Sequence, residues 1–147
     1  MKCVRVTDPV DAFCLINRIE QKCDVAKVFG DGHTREEVYD IFMYNSKAYK
    51  FMNDDYSKVF AVAFLEDVEE GVGNIHFSMF TPCHILRGYK LFIEQIIESY
   101  DILVSYIEDE RQDIVKLLRL IGFNVRKLNN GYYYGQSKKS DWGRFKA

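Results

Sequence analysis

Apolar and polar residues change period several times along this chain, and each change marks an element. Residues 2–6 predict a strand that stops at Thr7-Asp8-Pro9, where a capping side chain precedes a proline suited to a first helical position. Val10, Phe13, Cys14, Ile16 and Ile19 then recur mostly at threes and fours, which predicts one amphipathic helix over residues 9–21. Residues 24–33, with Gly30 and Gly32, read as a loop. Thr34 and Glu37 have capping-box spacing, and Val38, Ile41 and Phe42 form the buried face of the helix they open. The period then falls to two. Residues 48–52, 59–68 and 73–80 predict three strands joined by Asn53-Asp54-Asp55 and Glu69-Glu70-Gly71, most simply an antiparallel meander.

The strongest helical pattern covers residues 85–100, where Tyr89, Phe92, Ile93, Ile96, Ile97 and Tyr100 share one face. Residues 102–107 follow as a short apolar run with the look of a strand buried on both sides. A further helix over residues 111–121 turns Ile114, Leu117, Leu118 and Ile121 inward, with Gly122 as its left-handed stop. Strands over 123–128 and 132–136 flank the hairpin signal Asn129-Asn130-Gly131. The last residues, 137–147, hold Lys138, Lys139, Arg144 and Lys146 and read as a mobile basic tail. Residues 1–137 form a single domain in this reading, with 138–147 as the C-terminal tail.

Composition narrows the classes. The 147 residues are 48% hydrophobic and 15% aromatic, which is globular chemistry unusually rich in rings. A formal net charge of -2 supplies no global basic field, so it argues against nucleic acid as a partner; a duplex binder would need a local patch. The apolar stretches at 59–65 and 102–104 fall far short of the ~20 residues that a membrane-spanning helix needs. The first residues build no signal-like apolar region, so a cytosolic product is expected. Cys3, Cys14, Cys23 and Cys83 include no CxxC pair and read as free thiols.

The order strand, helix, helix, three strands, helix, strand, helix, two strands resembles the GNAT superfamily of N-acetyltransferases. The resemblance covers nearly all of the chain from Val4 to Tyr134 and is most specific where a buried strand leads into a helix closed by Leu120-Ile121-Gly122-Phe123. Leu86-Arg87-Gly88-Tyr89-Lys90, Glu98-Ser99-Tyr100-Asp101 and Val104-Ser105-Tyr106-Ile107 are similar to the GNAT-like internal virion proteins of short-tailed phages. What this implies is an α/β fold: a mixed sheet of about seven strands with helices on both faces. It also implies an activity, acetyl transfer from acetyl-CoA to a primary amine, in the host cytoplasm or the virion interior, with coenzyme A, an amine acceptor and phage structural proteins as partners. A pyrophosphate is a dense anion, and the amides opening the helix at residue 85 suit it, with Arg87, Gly88 and His84 as the cofactor-binding candidates. His76, Glu66 or Glu69 would act as general base.

Two departures from the family pattern matter. Lys90 stands where a small residue is usual, and Leu118 occupies the place of a tyrosine that protonates the leaving thiolate, a task no leucine can perform. Tyr106 is the substitute acid. These departures support an alternative, a catalytically silent internal virion or assembly protein of a tailed phage. Each candidate also has a plainer structural reading. His76 shares a polar strand face with Asn74 and Ser78, Glu66 to Glu70 suit a solvated hairpin tip, and Tyr106 suits a ring at a rim. Arg87 and Gly88 suit a helix start, and Cys83 a structural thiol. Trp142 and Phe145, with the tail's cations, suit a docking segment or a nucleic-acid contact.

Overall fold

The computed structural model describes residues 1–21, 34–81 and 85–145; the loop expected at 24–33, and with it Cys83 and His84, lies outside them. In chain order the elements are β1 (Lys2–Arg5), α1 (Pro9–Glu20), α2 (Arg35–Asp40), β2 (Lys47–Met52), β3 (Val59–Glu69) and β4 (Val72–Met79). Then come α3 (Ile85–Ile96), β5 (Ile102–Glu108), α4 (Gln112–Leu120), β6 (Asn124–Lys127) and β7 (Tyr132–Lys138). The strands form one seven-stranded mixed sheet, as the resemblance implies, in the order β1-β2-β3-β4-β5-β7-β6. β1, β2 and β3 pair antiparallel, β5 runs parallel to β4, and β7 pairs antiparallel with both β5 and β6. The chain divides into two compact units, Met1–Glu66 with His76–Cys83, and Asp67–Ile75 with His84–Ala147.

In the first unit the Asp8 carboxylate accepts the Val10 amide at 2.9 Å, and Pro9 opens α1, the cap that the sequence announces. The buried stripe differs from expectation. Ala12, Leu15, Ile16 and Ile19 are inside, while Val10, Phe13 and Cys14 are exposed. Both stripes have helical spacing, but the second runs out at polar Asn17 and the first continues through three turns. Thr34 Oγ1 accepts the Glu37 amide at 3.2 Å. The helix it opens lasts six residues and passes into a π-helical turn, Ile41–Asn45, that sets Phe42 edge-on to Phe64 with ring centroids 4.7 Å apart. These rings close a core with Val6, Val38, Ala48, Val62 and the α1 stripe.

In the second unit α3 turns Ile85, Tyr89, Phe92, Ile93 and Ile96 inward. It ends four residues earlier than the pattern suggests, because the Ser99 amide bonds the Ile96 carbonyl and tightens the chain into a turn. Ile97 and Tyr100 are nonetheless buried. Gly71 turns β3 into β4 at φ +76, where a Cβ would meet Asp101 Oδ2 at 2.8 Å. At the end of α4, Gly122 adopts φ 102, its amide bonds Arg119 O, and the Phe123 amide returns to Leu118 O at 2.9 Å. That is the paired bonding of a Schellman stop.

The segment expected to trail as a mobile tail is ordered through residue 145. β7 runs on to Lys138, and Lys139–Phe145 forms a 3-10 helix packed with α3. Trp142 is fully buried there, and its Nε1–H donates to Ser137 Oγ at 2.8 Å. Basic residues around it misled the sequence reading, since the one large apolar anchor outweighs them. Trp142 is the chain's sole tryptophan. Its emission is therefore expected to be blue-shifted in the native protein, and Trp142→Ala to cost about 3–5 kcal/mol in urea titration. Native emission at the wavelength of a solvated indole would contradict the packing.

Candidate functional site

Strand alternation positions the first cluster. On β4, Ile75 and Phe77 are buried, and Asn74, His76 and Ser78 face the other way, partly open. On β3 the buried run Ala61–Leu65 ends at Glu66, the first partly exposed side chain after it. The two strands bring His76 Nε2 within 2.7 Å of Glu66 Oε1, with side-chain exposures of 16% and 27%. A ring nitrogen that carries hydrogen donates to a carboxylate oxygen, which accepts, and the pair lies at hydrogen-bonding distance. Two residues singled out separately in the sequence are thus one unit. Glu69 is not part of it and is exposed; the neighbouring Asp67 accepts the Tyr100 hydroxyl at 2.5 Å.

The second feature is where the β4 and β5 ladder stops. Among the described residues its register pairs are Val72 with Ile102, Gly73 with Leu103 and Asn74 with Val104. One position further, the buried Ser105 hydroxyl donates to the Ile75 carbonyl at 3.0 Å, so a side chain takes over from the backbone. Asn74 Oδ1 is buried, and among the described residues no donor reaches it. Neither residue was assigned a role from sequence. Asn74 was legible only as a neighbour of His76 on a polar face, and nothing in the run 102–107 marks Ser105.

Tyr106 lies two residues beyond Val104 and is 57% exposed, its ring 5.2 Å from that of Tyr134 at 55°. Burial, seconded by the neighbouring Tyr106 phenol, raises the Tyr134 hydroxyl above its ordinary value, against the pull of Arg126. Leu118 is fully buried, and its Cδ1 lies 3.5 Å from where a Gly135 Cβ would stand, so α4 offers a packed methyl at this position. Arg87 is exposed in the first turn of α3, Gly88 is buried and Lys90 partly buried. His84 lies outside the described residues. The first-turn amides of this twelve-residue helix with the Arg87 guanidinium form a donor set of the right charge for a pyrophosphate, and Asn74 Oδ1 is an acceptor for an amide N–H. Among the described residues no group of three or more His, Cys, Asp or Glu could hold a metal ion.

Neither a protein-family model nor a curated protein sequence matches the chain. Solved structures do. An aminoglycoside acetyltransferase in complex with coenzyme A aligns with a TM-score of 0.69 at 11% identity, over 97% of this chain and 97% of its own. A spermidine N-acetyltransferase from Vibrio cholerae in complex with CoA and spermine aligns at 0.67 and 9% identity, over 96% of this chain and 98% of its own. An N-acetyltransferase from Staphylococcus aureus Mu50 aligns at 0.67 and 14% identity, over 95% and 97%. At these identities the likeness is one of fold. The chain has the GNAT fold that its element order suggests.

The cysteines near this sheet differ in chemistry. Burial pushes the Cys3 thiol up to about 12, whereas Cys14 is exposed on α1. The thiolate is the reactive form. Iodoacetamide at pH 8 is therefore expected to label Cys14 in the native protein and Cys3 only after denaturation, read by peptide mass spectrometry; equal labelling rates would contradict this.

Proposed function

We propose that this protein transfers an acetyl group from acetyl-CoA to a primary amine. The observation that carries the reading is the contact of His76 Nε2 with Glu66 Oε1 at 2.7 Å, on a fold shared with amine acetyltransferases. When bound, acetyl-CoA supplies an activated acyl thioester. The amine must be neutral to attack, and the His76 ring, oriented by Glu66, takes the amine proton. Tyr106 would supply the proton that the leaving thiolate needs. Arg87 and the first-turn amides of α3 would hold the pyrophosphate, and Asn74 Oδ1 would accept an amide N–H of the pantetheine arm. Spermine and an aminoglycoside are the acceptors to try first, as amines of the kind that the similar proteins are named for.

One observation favours a second reading, the silent phage virion or assembly protein. The position at which many acetyltransferases of this fold carry a phenol is Leu118, fully buried in the core, so chemistry at that place has been given up for packing. Mass spectrometry of purified particles tests this, since a virion protein is present there in stoichiometric amount.

Calorimetric titration with acetyl-CoA decides the enzymatic reading. Saturable binding in the micromolar range is expected, and Arg87→Ala should weaken it about tenfold without lowering the melting temperature. No heat at millimolar acetyl-CoA would remove the proposal. With an amine that is turned over, His76→Ala is expected to lower kcat by about 10²- to 10⁴-fold and leave acetyl-CoA affinity unchanged. An undiminished kcat would take His76 out of the reaction.

A further inference from the structure

The register of β5, β7 and β6 sorts their side chains onto two faces. One face is closed: Leu103, Ser105, Ile107, Gly135 and Ser137 are all buried. The other is open. Tyr106, Tyr134 and Arg126 stand in one row across the three strands, ring beside ring at 5.2 Å and the guanidinium carbon 5.5 Å from the Tyr134 centroid. Val104, Gln136 and Asn124 form the adjacent row, with Val104 buried within it, and Lys138 follows on β7 opposite Ile102, its side chain exposed.

The overall charge of -2 hides how the charges are distributed. Residues 111–147 contain nine Lys and Arg against two Asp, a net +7, and the rest of the chain carries -9. Two of the three strands of the open face, β6 and β7, belong to the basic part, and β5 borders it. Its chemistry is that of rings, amides and cations rather than of exposed aliphatic groups, which is unlike the interior of a subunit interface. Bases stack on such rings whatever their sequence, cations alongside meet the phosphates, and a flat sheet face presents both at once. Glu108, beside Tyr132, is the carboxylate at one end of this face, so an anionic strand is repelled there and favoured from Tyr106 toward Lys138.

We propose that the open face of β5, β7 and β6 binds single-stranded nucleic acid, with Tyr106 and Tyr134 as the stacking rings and Arg126 and Lys138 as the phosphate contacts. Tyr106 is shared with the proposed acetyl transfer, so binding is measured without acetyl-CoA and tested at Tyr134 and Arg126, which that reaction does not use. Fluorescence polarisation with labelled 12-nucleotide RNA and DNA single strands, the matching duplex and heparin separates the sources of affinity. Micromolar binding of a single strand is expected, tighter than duplex or heparin at equal salt. RNA and DNA arms tell whether the 2′-hydroxyl contributes.

Tyr134→Leu, which keeps bulk and removes the ring, should weaken single-strand binding about 5- to 100-fold. Arg126→Gln should lower the slope of log affinity against log salt by ~0.7. Lys58→Gln, in the other unit, serves as the charge control and should leave affinity unchanged, with circular dichroism and melting temperature confirming that all three variants fold. Absence of binding in 50 mM salt would overturn the proposal. So would equal affinity for heparin, equal loss in the Lys58 variant, or sedimentation showing a dimer that Tyr134→Leu dissociates.

Discussion

A buried backbone carbonyl must find a donor, and in this protein the Ile75 carbonyl finds the hydroxyl of Ser105. Parallel strands normally supply that donor from their own amides. The β4 and β5 ladder ends one residue earlier, and an orphaned carbonyl there would cost about 1–3 kcal/mol. The serine removes that cost, so the ladder can end without penalty. Asn74, whose buried Oδ1 meets no donor among the described residues, is the last β4 residue of that ladder.

Much of the fold was legible because it rests on local rules. The Asp8 and Thr34 caps, the Asn129-Asn130-Gly131 hairpin and the glycine stop at Gly122 each follow from what one or two residues can do with neighbouring amides. What could not be read depended on partners distant in sequence. Of the α1 set, Ile16 and Ile19 are buried as expected, but Val10, Phe13 and Cys14 are replaced by Ala12 and Leu15, since spacing admits two faces and only tertiary packing selects. Trp142 was taken for part of a tail because the packing of its segment against α3 is invisible to periodicity. The candidate site divides in the same way: alternation put His76 on a polar face, but its union with Glu66 is a matter of how β3 folds back beside β4.

Leu118 is a packing residue of the second unit. Its side chain, Phe123 and Val125 converge on Gly135, where a Cβ would stand 3.4 to 3.5 Å from all three. A phenol in place of Leu118 would need room that these neighbours occupy. The helix end is tied down by the same residues, with the Phe123 amide on the Leu118 carbonyl. The same packing that closes α4 therefore excludes a larger polar side chain at this position.

The outermost strands of the sheet are β1 and β6, and each bears two cations, Lys2 and Arg5 on one and Arg126 and Lys127 on the other, all exposed. An unpaired strand edge invites a further strand from a neighbouring molecule. Any end-to-end stacking of this sheet, whether like edges meet or unlike, would set positive charge against positive charge. The protein thus discourages its own fibrous growth at both borders without a proline or a bulge in either.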